Sequence, residues 1–123
     1  MSDLPKSVKR SLRELAGKAH EAELRAELGK LAGEFDAWRR GEIDSFDLSQ
    51  RIHEFHDGAA REIWKTYSYG HPTSSVAYAI HAGILSRDEV PPEVLAALKH
   101  AIGVYEHMAR PEGAAESVAE DVE

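Results

Sequence analysis

The chain has no cysteine, which excludes a disulfide framework, a thiolate zinc site and a cysteine nucleophile. No apolar run approaches the length of a membrane span. The first ten residues, MSDLPKSVKR, hold nothing like the apolar core of a signal peptide. A cytoplasmic location is the expectation that follows. A basic excess is missing as well. The formal net charge is −7, and Glu112, Glu116, Glu120, Asp121 and Glu123 follow Arg110 with no basic residue among them, so residues 1–110 are close to neutral. Proteins that clamp nucleic acid ordinarily carry a clear positive surplus. Neither nucleic acid nor a membrane is therefore an expected partner. There is no hydrolase elbow, phosphate loop or dinucleotide fingerprint, and no other catalytic motif takes their place. An enzyme is not expected.

What is present is ordinary for a small globular domain. The 123 residues, 42% apolar and 30% charged, suffice for one domain with a modest core. The pattern is helical throughout. Val8, Leu12, Leu15 and Ala19 recur at helical spacing, and Leu24, Leu28, Leu31, Phe35 and Trp38 form a second series on roughly the opposite side. This predicts one long helix from Pro5, capped by Asp3 or Ser2, that serves different partners at its two ends. If it breaks, the place is Gly17. Lys6, Lys9, Arg10 and Arg13 line its opposite face, a solvated surface or, as an alternative, a weak contact for nucleic acid or an anionic membrane.

A corner follows. Gly41 suits the end of the first helix, and Asp44 or Ser45 suits the cap of the next. From Asp36 to Leu48 the run DAWRRGEIDSFDL resembles the calcium loop of an EF-hand, through Gly41, Ile43, Asp44 and Asp47 with Asp36 at the first ligand place. Trp38 and Arg40 occupy the next two ligand places, and the closing acid is aspartate where that family uses a bidentate glutamate. The resemblance thus implies a helix–loop–helix corner with Ile43 in the core, and no bound calcium.

The stretch 45–67 sorts Leu48, Ile52, Phe55, Ala59, Ile63 and Tyr67 onto one side, with His53, His56, Ala60 and Trp64 widening the arc to about 180°. So broad an arc predicts a helix touching neighbours on two sides. Asp57-Gly58 often marks a turn, but the stripe runs on through it, so one helix is expected, with Gly58 as a place for a bend or a close neighbour. A short buried helix, Val76–Leu85, capped by Thr73, Ser74 or Ser75, should come next. A last helix should start at Pro91-Pro92 and fade near Arg110-Pro111. The fold class expected is all-α: a small four-helix bundle, five if the first helix breaks, formed by residues 1–110, with a disordered acidic tail at 111–123.

Two kinds of site can be proposed from these residues. His53 and His56 are neighbours on one helix face, and with His81, Asp57 or Glu62 they could hold a metal ion of unspecified identity, although neither the zinc-protease nor the di-iron spacing is present. The bland alternative is a buried His56 bonded to a backbone carbonyl, to Tyr67 or to Tyr78. No other cofactor is expected. The apolar surface of the first two helices exceeds what a small bundle must bury. Trp38, Trp64, Leu24, Leu28 and Leu31 are therefore candidate interface residues, for self-association or for a protein partner that this chain serves as a regulatory or accessory subunit.

Overall fold

The computed structural model describes the backbone of residues 4–122 and the side chains of residues 4–108. The first helix, α1 (Lys6–Arg39), is unbroken through Gly17, in keeping with the Ala, Glu, Lys and Arg that dominate its middle. Pro5 stands at its N-cap without a side-chain cap, and the caps expected from Ser2 or Asp3 lie outside the described residues. All its buried side chains, Val8, Leu12, Leu15 and Ala19, fall in the first half.

The corner forms as the residues dictate. Gly41, at φ 79°, takes the left-handed conformation that closes α1. Asp44 and Asp47 then form a reciprocal cap: the Asp47 N–H donates to Asp44 Oδ1 at 2.8 Å and the Asp44 N–H to Asp47 Oδ2 at 3.2 Å. Ile43 is only half-buried and stays outside the core, so its expected plugging role is corrected.

The next rod, 45–68, is continuous but not uniform. It comprises α2 (Ser45–Glu54), a π-helical segment (Phe55–Ala60) and α3 (Arg61–Ser68). Gly58 lies inside the π segment. The expected single helix is present, and its irregularity sits at the one dipeptide that objected to it. A π turn holds about one residue more than an α turn, so the face presented before it is displaced around the rod after it.

α4 (Pro72–His81) starts earlier than the serines suggest. Pro72 supplies the fixed φ of a first helical position, and the His71 ring, through Nδ1, accepts the Thr73 N–H at 3.3 Å. Ser75, a candidate cap, is instead buried, with its hydroxyl donating to the Thr66 carbonyl at 3.1 Å. The helix also ends before Leu85. Gly83 adopts φ 82°, and the Ile84 and Gly83 N–H groups donate to the Ala79 and Ile80 carbonyls at 2.8 and 3.1 Å, a Schellman closure. A 3₁₀ turn (Arg87–Glu89) capped by Ser86 leads to α5 (Pro92–Val122). The acidic tail expected at 111–123 lies outside the described side chains.

One core unites the first half of α1 with α4 and α5: Val8, Leu12, Leu15 and Ala19 meet Val76, Ala77, Ala79 and Ile80, while Leu85, Val90, Val94, Leu98 and Ile102 close it from the other side. Leu12, Leu85 and Leu98 are almost wholly enclosed, each worth about 2 kcal/mol of apolar burial. α2 and the π segment pack chiefly on α1. The molecule therefore has a base, built on this core, and an arm made by the second half of α1 with the rod 45–60. No described residue is in a strand.

Candidate interaction surface

In the arm the two helices run antiparallel, as three cross-links record. At the tip Trp38 Nε1 donates to Ser45 Oγ at 3.0 Å; midway Arg51 Nη1 pairs with Glu34 Oε1 at 3.1 Å; at the base the Tyr67 hydroxyl donates to Glu23 Oε2 at 2.7 Å. The seam between them is shallow. Leu48 is the one residue of α2 that is buried, and no residue of the π segment is. Phe55, Leu24, Leu31 and Phe35 are half-covered.

The ion pair Arg51–Glu34 fixes which side of the seam is which. At about 100° per residue, Leu24, Leu28 and Phe35 lie on the side of α1 turned away from Glu34, and Ile52 lies on the side of α2 turned away from Arg51. In an antiparallel pair these sides coincide, so the four residues share the flank opposite the ion pair. Beyond the π segment, whose extra residue offsets the face, Trp64 continues that flank. The solvent keeps 45% of Leu28, 40% of Ile52 and 49% of Trp64. Beside Trp64 the groove is lined by His56 and Ala60 and edged by the charged Asp57 and Arg61. The other flank is polar, its groove lined by Glu27, Lys30, Glu34, Arg51 and Glu54 around Leu31, Phe55 and Ala59.

The candidate residues named from spacing are thus divided. Leu24, Leu28 and Trp64 reach the apolar flank. Leu31 sits in the seam, and Trp38, 40% exposed, is held at the tip by Ser45. Ile52 was absent from that set because the stripe assigned it to the interior. Ile52 precedes the π segment, and within α2 it stands about 40° around the helix from the buried Leu48, at the edge of the seam. The broad arc is two faces displaced along the rod: the first is directed at α1, and the second meets both α1 and α4, as the contact on two sides predicts.

His56 is corrected as well. Its side chain is 83% exposed, with Nδ1 3.2 Å from Asp57 Oδ1, and it reaches neither Tyr67 nor the interior. His53 is exposed too. His81, at the end of α4, stacks on Tyr105 with centroids 6.1 Å apart. Among the described residues no three His, Asp or Glu side chains gather as a metal site would need, so the trio His53, His56 and His81 is not assembled.

The tyrosines meet elsewhere. Tyr67 stacks on His20 at 5.0 Å, nearly parallel, while its hydroxyl serves Glu23. Burial, then the Glu23 hydrogen bond and charge, push the Tyr67 phenol above its ordinary range. Tyr78 is shifted the same way, by burial first and by Glu23 second. Tyr78 meets Tyr105 edge-on at 6.1 Å, and the Tyr105 hydroxyl donates to the Ser74 carbonyl at 3.4 Å. This group joins α1, α3, α4 and α5 where arm meets base. Glu23 and Tyr67, joined by this bond, lie 44 positions apart in the sequence. Compared with protein-family models, with curated proteins and with solved structures, the chain matches none.

Proposed function

We propose that this protein acts through protein–protein association, and that the apolar flank of the arm receives a second copy of the chain. The observation that carries the reading is the exposure of Leu28, Ile52 and Trp64 on one flank of a two-helix layer that encloses little of its own. A layer of two helices covers only its seam, and a second layer is the usual remedy. An apolar face is complemented by another of its kind, and a two-fold axis supplies it as a four-helix bundle.

Light scattering on eluting full-length protein should give twice the 13.6 kDa of the chain. Ile52→Glu, a change at a residue that contributes little to the core, should give the monomer mass with unchanged helix content. A wild-type monomer at every concentration would overturn self-association. A dimer that ignores Ile52→Glu would place the contact on another face.

A further inference from the structure

At the opposite end of α1 from the arm's tip, the first turns of α1 and the start of α4 enclose a cavity of ≈ 470 Å³. Its lining has two parts. Leu4, Leu12 and Pro72 make an apolar floor, and Lys9 and Arg13 stand on its α1 side. Thr73 and His71 form the remaining wall, and they are already engaged with each other, since the Thr73 N–H donates to His71 Nδ1.

Like Lys6, Arg10, Arg61 and Lys99, these two cations form no ion pair among the described residues, and what sets them apart is their place on the cavity wall. Every cation from Lys18 to Arg51 holds a carboxylate: Lys18 with Glu89, Arg25 with Glu21, Lys30 with Glu27, Arg39 with Asp36, Arg40 with Glu42 and Arg51 with Glu34. Among the described residues neither Lys9 nor Arg13 has an acidic partner. Two uncompensated cations beside an apolar floor, in a volume within the usual range of small-ligand sites, define a chemistry. The geometry points to a binding site for a small amphipathic carboxylate. Its anionic head lies against Lys9 and Arg13, where guanidinium and ammonium donate charge-assisted hydrogen bonds. Its hydrocarbon body covers Leu4, Leu12 and Pro72. The site is independent of the arm's flank, and either assignment stands if the other falls.

Octanoate, octanol and acetate separate the two halves of the claim, with binding to the full chain followed calorimetrically. Octanoate should bind about tenfold or more tightly than octanol, because only the acid engages the cations. It should also bind more tightly than acetate, which has no body to cover the floor. The double variant Lys9→Gln/Arg13→Gln changes two exposed side chains and should abolish the preference for octanoate over octanol while leaving the urea midpoint in place. Equal binding of octanoate and octanol, equal binding of octanoate and acetate, or a preference that survives the double variant would each overturn the assignment.

Discussion

Tyr67 is the side chain on which the junction of arm and base turns. Its ring lies on His20, its hydroxyl holds Glu23, and its phenol is pushed above the ordinary range. A group whose pKa is raised by folding contributes its stability in full below the unfolded value and loses it as the pH climbs beyond. For tyrosine that value is about 10. Stability should therefore fall as the pH rises above about 10, and Tyr67→Phe should flatten most of that slope, leaving the part due to Tyr78. At neutral pH the same variant should cost about 1 kcal/mol, the net worth of one hydrogen bond. Urea midpoints measured across neutral and alkaline pH test both statements. Such a residue is hard to find in a sequence, because the pairing of Glu23 with Tyr67 depends on how two helices lie side by side. Local chemistry was easier to read. Asp44, Asp47 and Gly41 take the capping and turn roles their side chains dictate, whereas His71 caps α4 in place of the serines because Pro72 fixes where the helix starts.

The π segment is the element that separates pattern from structure. A strict 100° repeat places Leu48, Ile52, Phe55, Ala59, Ile63 and Tyr67 on one face, and it holds within each half of the rod. It fails across Phe55–Ala60, where the extra residue displaces the face that follows, with Trp64, from the one that Leu48 presents. Deleting Asp57 should convert the segment to regular α-helix and keep both faces on α1, changing the urea midpoint by the equivalent of about 1 kcal/mol or less. Deleting Asp57 and Gly58 together should cost several kcal/mol, since it rotates Ile63 and Tyr67 away. Were the rod a uniform helix, the single deletion would already be damaging, since it rotates the following face by about 100°. Gly58 has open space where a Cβ would stand and no left-handed backbone, so Gly58→Ala should stabilise by about 0.5–1 kcal/mol. Thermal melts followed by circular dichroism distinguish these cases.

At the scale of the molecule, the two opposed series on α1 foretold its division of labour: Val8 to Ala19 serve the base and Leu24 to Phe35 serve the arm. The all-α class and the order of the helices follow from periodicity alone. Which surplus face stays open does not, because it depends on the Arg51–Glu34 side of the seam. The unequal burial predicts unequal protection. Amides of 12–19, 76–80 and 94–102 should exchange hydrogen only through global unfolding, and those of 24–36 and 46–56 through cheaper local opening. Mass spectrometry of exchanged peptides reads this directly. If the arm pairs with a second copy, protection at 24–36 and 46–56 should rise with protein concentration while the base stays constant.

Because α1 passes from base to tip without a kink, it behaves as a lever. Its second half projects about 25 Å. A tilt of about 10° at the fulcrum formed by Tyr67 and Glu23 would swing the tip by about 4 Å. Small adjustments in the base are thereby magnified at Trp38 and Ser45.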